Sequence, residues 1–169
     1  EHDHHPQLRA VGDHEDRQHS LGDAGRDVGR LEQQRAWDAV GDHAEFAKTV
    51  TDFDVYGFAG IVGDFYGVHV NEEYAKTTRF ERRIAQGALS VGFLATVMGY
   101  MAAKAPNPGA VSYRYDITFT APVYIGDTVT AHAVVIESRT DKPITRLRCV
   151  ARRDDGTEVL RGECLVYTM

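Results

Sequence analysis

Hydrophobic and polar positions along the chain change their period several times, and each change marks an element. Ala44 to Val50 alternates apolar with polar residues, the period of a half-buried strand. Thr51 can then cap a helix from Asp52 to about Ile61, in which Phe53, Tyr56, Ala59 and Gly60 fall at helical spacing. A Gly-containing loop, Gly63 to His69, comes next. Asn71 can cap a short acidic helix, Glu72 to Lys76, and a polar, basic segment runs from Thr77 to Arg83. From Gly87 to Lys104 the spacing is helical again, but Leu89, Phe93, Leu94, Val97, Met98 and Met101 leave almost no polar face. The spacing therefore predicts a helix buried on nearly every side. Ala88, Gly92, Ala95 and Gly99 form a stripe of small residues along it, and repeated helical glycine is costly enough to suggest a backbone running close to that stripe.

Beyond the prolines of 106–108 only strand periods remain. Val111, Tyr113, Tyr115, Ile117 and Phe119 alternate with polar residues, and three further strands are expected at Val129–Ile136, Ile144–Arg152 and Val159–Tyr167. Asp154-Asp155-Gly156 supplies a hairpin turn between the last two. One early strand, one long buried helix and four late antiparallel strands predict an α+β domain whose antiparallel sheet wraps around the helix. Such a single layer leaves an open edge, so pairing into a homodimer or larger homo-oligomer is expected.

Composition changes this picture at the N-terminus. Residues 1–39 are dominated by Asp, His, Arg, Gln and Gly, with Trp37 as the single aromatic, and read as a flexible polar extension; residues 40–169 form the folded domain. His2, His4 and His5 with Asp3 could hold a transition metal loosely, but nothing there fixes a geometry, and no metal site is expected. A length of 169 residues, 43% of them hydrophobic, suits one such domain, and a net charge of −6 gives no electrostatic reason to expect nucleic acid or an anionic membrane as partner. Cys149 and Cys164 lack metal-ligand spacing and read as buried thiols of a reducing compartment, though adjacent strands could bring them together. With no basic-then-apolar leader and no apolar window of the roughly 20 residues that a bilayer needs, a cytoplasmic location is expected.

The candidate chemistry lies in Gly63-Asp64-Phe65-Tyr66-Gly67-Val68-His69, which sets a carboxylate and an imidazole five positions apart across a bend. An Asp after Gly often bonds only its own loop, and a single His is often structural; the same two groups can equally serve as an acid–base pair. His132, on a strand, is read as structural. Arg79, Arg82 and Arg83 could contact phosphates through their guanidinium forks, or form a solvated basic loop.

From Ala44 to Met101 the chain resembles the MaoC-like dehydratases, which include the (R)-specific enoyl-CoA hydratases. Their pattern is an apolar helix, Gly-Asp-x-Asn-Pro-x-His, a short acidic helix, Thr-Thr-x-Phe, and His-Gly opening a buried helix. Here these read Phe58 to Val62, Gly63 to His69, Glu72 to Lys76, Thr77-Thr78-Arg79-Phe80 and Gln86-Gly87. The strand block joins the likeness through Ile117 to Val123 and Gly126 to Val129. The resemblance implies a hot-dog fold, usually dimeric, and reversible hydration of a trans-2-enoyl thioester to an (R)-3-hydroxyacyl thioester. Coenzyme A or an acyl carrier protein would carry the acyl group, with no cofactor. Asp64 and His69 would then share the acid and base roles, and the Gly87 N–H, unpaired at a helix start, would donate to the enolate oxygen. Two departures stand out: Tyr66-Gly67 replaces Asn-Pro, and Gln86 replaces His. A flexible bend and a phenol near the site are expected to re-line the acyl tunnel, which makes Tyr66 a candidate substrate-binding residue. The same scaffold could instead serve a thioesterase or a non-catalytic acyl-binding module.

Overall fold

The structure, a computed structural model, describes residues 38–105, 109–139 and 141–169; the rest of the polar extension lies outside them. In chain order the elements are β1 (His43–Thr49), α1 (Asp52–Val62), α2 (Gly67–Val70), α3 (Glu72–Lys76), α4 (Gly87–Ala102), β2 (Ala110–Phe119), β3 (Thr128–Ser138), β4 (Ile144–Arg153) and β5 (Glu158–Thr168). The strands form one antiparallel sheet in the order β1-β3-β4-β5-β2. The α+β architecture is the one the alternation predicts, with α4 held against the sheet, chiefly across β1 and β3.

Local chemistry accounts for most boundaries. Thr51 and Asp54 form a capping box: Asp54 N–H donates to the Thr51 hydroxyl and Thr51 N–H to the Asp54 carboxylate, so two helix-start donors are satisfied together. Gly63 ends α1 in the left-handed conformation, at φ 80°. Asn71 caps α3 by accepting from Tyr74 N–H at 3.1 Å. Gly156, at φ 83°, closes the β4–β5 hairpin.

Two expectations about α4 are corrected. It is not buried on every side: Ser90, Phe93, Leu94, Val97, Met98 and Met101 are buried, whereas Ala88, Gly92, Ala95 and Gly99 are exposed. Among the described residues no backbone runs along the small-residue stripe, since a Cβ added at Gly92 or Gly99 would meet nothing within 4 Å. The close approach comes from the sheet instead. Ala131, Ala133, Cys149 and Ala151 share the core with the large side chains of α4, so small strand residues make room for large helical ones. Cys149 and Cys164 are both buried and free. Hydrogen bonding to Cys164, followed by burial, pushes the Cys149 thiol far above its ordinary range.

A third correction concerns the bend. Within the expected loop, residues 67–70 make a helical turn, with Tyr66 as its N-cap in extended backbone at φ −59°, ψ 135°. Gly67 is there for space: a Cβ would stand 2.8 Å from the ring of Tyr74, so it serves close packing rather than flexibility. Asp38 is buried against the end of the sheet, accepting from the Ser138 hydroxyl at 2.9 Å and from Thr145. Among the described residues no helix is long and apolar enough to cross a membrane.

Candidate active site

His69 sits at the third position of α2, where its own N–H bonds back to the Tyr66 carbonyl at 2.9 Å. The segment after the basic loop is stitched down on both sides: Ile84 N–H donates to Val68 O, Ala85 N–H donates to Val123 O, and Ile84 bridges to Tyr124. This stitching aims the Ile84 carbonyl at the imidazole, 2.8 Å from Nδ1. A carbonyl only accepts, so Nδ1 carries the proton and the lone pair of the neutral ring lies on Nε2. Nε2 faces Asp64 Oδ2 across 3.7 Å. The carboxylate is steered by Tyr66 N–H, which donates to Oδ1 at 3.3 Å. His69 is nearly enclosed, its side chain 11% exposed against 43% for Asp64.

Beside the imidazole lies a cavity of about 300 Å³, whose walls include His69, Arg79, Gln86, Gly87, Ser90 and Phe119. Gly87 opens α4, and no side chain caps this end. The first N–H groups of a helix have no intrahelical acceptor, and the helix dipole adds positive potential there. Glycine eases the packing here, because a Cβ at 87 would stand 3.1 Å from the Phe119 ring, a tight contact that the ring would have to relieve. Gln86 is buried; its Nε2 donates to Val55 O at 3.2 Å and ties the start of α4 to α1. Its Oε1 is buried without a partner among the described residues.

The three arginines go to different places. Arg79 reaches the cavity wall, its guanidinium 5.0 Å from the Phe80 ring centroid. Arg82 stacks on Tyr124 at 3.9 Å. Arg83 donates to Asp52, Glu72 and the Tyr56 hydroxyl, bracing α1 against α3. Tyr66 is not among the cavity-lining residues; its ring stands edge-on to His69, with centroids 6.1 Å apart. Sequence reasoning missed Ser90 and Phe119. Ser90 carried a signal, being the one hydroxyl on the helical face that Phe93, Leu94 and Val97 bury. Among the described residues no group of three or more His, Cys, Asp or Glu could hold a metal ion.

A five-stranded antiparallel sheet curled around one long helix, with a polar site where that helix begins, defines a hot-dog protein. A family profile described as MaoC like domain matches residues 36–159, and the chain belongs to that MaoC-like family. It is 42% identical over 126 residues to an (R)-specific enoyl-CoA hydratase of Rhodospirillum rubrum, covering 75% of this chain and 85% of the relative. Likewise, it is 39% identical over 119 residues to a 3-hydroxybutyryl-CoA dehydratase of Methylorubrum extorquens, covering 70% and 73%. Among solved structures, the (R)-hydratase of Aeromonas caviae involved in PHA biosynthesis superposes with a TM-score of 0.70 at 30% identity, over 76% of this chain and 95% of that one.

Proposed function

We propose that this protein is a hydro-lyase that reversibly adds water to a trans-2-enoyl thioester, giving the (R)-3-hydroxyacyl thioester. The observation that carries this reading is the 3.7 Å gap between Asp64 Oδ2 and His69 Nε2. It is too wide for a direct hydrogen bond and suits one water oxygen at about 2.8 Å from each acceptor. Such a water points one hydrogen at each group and keeps a lone pair for C3 of the substrate. Nε2 takes a proton as the C3–O bond forms, electrons move onto the thioester oxygen, and the imidazolium returns the proton to C2. Asp64 orients the water and stabilises the transient cation. The enolate oxygen is held by the N–H groups at the start of α4, Gly87 first among them. Atoms balance with water alone, and no cofactor enters.

The identities to the Rhodospirillum and Methylorubrum enzymes support this chemistry. Because it lies at the cavity wall, Arg79 is the arginine we assign to a carrier's phosphate, with coenzyme A the carrier those relatives name. A homodimer is the assembly we favour, because β2 is an edge strand with exposed Val111, Tyr113 and Phe119. Crotonyl-CoA provides the test: the enone absorbance should fall without release of free thiol, and Asp64→Asn should lower kcat by about 10²–10⁴-fold with the fold intact. Release of thiol, or an unimpaired Asp64→Asn, would overturn the assignment.

A further inference from the structure

Tyr66 stands where a residue meant to line the acyl tunnel was expected, yet it lies outside the cavity and touches the Asp64–His69 pair from three directions instead. Its N–H donates to Asp64 Oδ1, its carbonyl accepts from His69 N–H, and its ring meets the imidazole edge-on at an interplanar angle of 80°. The far end of the side chain is anchored as well: the Tyr66 hydroxyl lies 3.0 Å from that of Tyr74 on α3. The two rings pack edge-on at 5.7 Å, and Tyr74 fills the space over Gly67 that any other residue would occupy with a Cβ.

We propose that the Tyr66–Tyr74 couple is a positioning device, which holds the bend between Asp64 and His69 in register by tying it to α3. The proposal rests on the hydratase reading for its kinetic arm. It assigns Tyr66 to the geometry of the acid–base pair and not to the choice of acyl group. Without proline at 67, the backbone of the bend lacks a covalent restraint on φ. The phenol pair supplies a non-covalent one, clamping the side chain of the N-cap residue to the next helix. Tyr66 is 58% exposed, so its ring contributes little to the core, and loss of its hydroxyl should register in catalysis rather than in stability. The hydrogen bond between the two phenols also raises the pKa of the Tyr74 hydroxyl.

The test is a cycle of isosteric variants, Tyr66→Phe, Tyr74→Phe and the double variant, assayed with crotonyl-CoA and a six-carbon enoyl-CoA. Each single variant should lower kcat by about 3- to 10-fold, the worth of one hydrogen bond, with KM and the preference between substrates unchanged. The double variant should be no worse than either single one, because the bond is lost once. Melting temperatures should stay within about 2 °C of wild type. A change in substrate preference, multiplicative losses, or wild-type kcat in both single variants overturns the proposal. An independent arm reads the His69 ring by nitrogen NMR. Tyr66→Phe and Tyr74→Phe should both broaden or shift its signals, and unchanged spectra in both count against the couple. Should the wild-type protein leave crotonyl-CoA untouched, the hydratase reading fails, and the spectra alone decide the couple.

Discussion

Replacing Arg83 by methionine separates a structural brace from a ligand-binding cation. Methionine keeps the aliphatic stem and deletes three hydrogen bonds: Nη2 to Asp52 Oδ1 at 2.6 Å, Nε to Glu72 Oε2 at 3.2 Å, and Nη1 to the Tyr56 hydroxyl at 3.1 Å. The Arg83 side chain is 17% exposed, but its carboxylate partners are 59% and 46% exposed, so water and salt screen both ion pairs. Each is therefore taken at about 0.5–1 kcal/mol, and the phenol bond at about 0.5, for a total near 2 kcal/mol. With a urea slope of about 2 kcal/mol per molar, the unfolding midpoint should fall by about 1 M. The difference from wild type should shrink in 1 M NaCl, where the Debye length is about 3 Å. KM for crotonyl-CoA should stay unchanged in Arg83→Met, whereas Arg79→Ala should raise KM and leave the midpoint alone. An Arg83→Met protein with wild-type stability and a raised KM would refute this assignment, because the guanidinium would then be serving the ligand.

Two further outcomes follow from other parts of the molecule. Ser90 lies on the cavity wall one helical turn beyond Gly87, so Ser90→Leu should shift turnover toward shorter acyl groups, read as the ratio of kcat/KM for four- and eight-carbon enoyl-CoA substrates; an unchanged ratio means the acyl chain takes another route. Burial pushes the Asp54 carboxyl up, but hydrogen bonds from the Thr51 N–H and hydroxyl, with Lys48 beside it, more than offset this and hold it below the ordinary value of 3.8. A carboxyl lowered by folding stabilises the fold above its unfolded pKa and loses that contribution as pH falls through the folded one. Urea midpoints should thus fall on acidification below about pH 4, and Asp54→Asn, which costs about 1 kcal/mol at pH 7, should flatten that fall.

The spacing of residues was enough to determine the strands and three of the four helices, but not the helical turn at 67–70, which lies inside an expected loop. Period-2 runs became β1 to β5, and Thr51 and Asn71 marked helix starts, because alternation and capping are properties of adjacent residues. Family resemblance carried the motif from Gly63 to His69 and the overall fold. Only tertiary structure decided which way each residue faces. The small-residue stripe of α4 looks outward because the space beneath the helix is made by alanines of β3 and β4, far away in sequence. Gly67 answers to the ring of Tyr74, and Gly87 to that of Phe119. Three neighbouring arginines of identical chemistry became a cavity wall, a ring stack and a brace according to where Phe80, Tyr124, Asp52 and Glu72 happened to fold. The lone pair of His69 likewise depends on a carbonyl 15 residues further on, brought to Nδ1 by backbone pairing with Val68 and Val123. Local periodicity cannot encode such contacts, since each depends on the distance between parts of the chain that meet only after the sheet has closed around its helix.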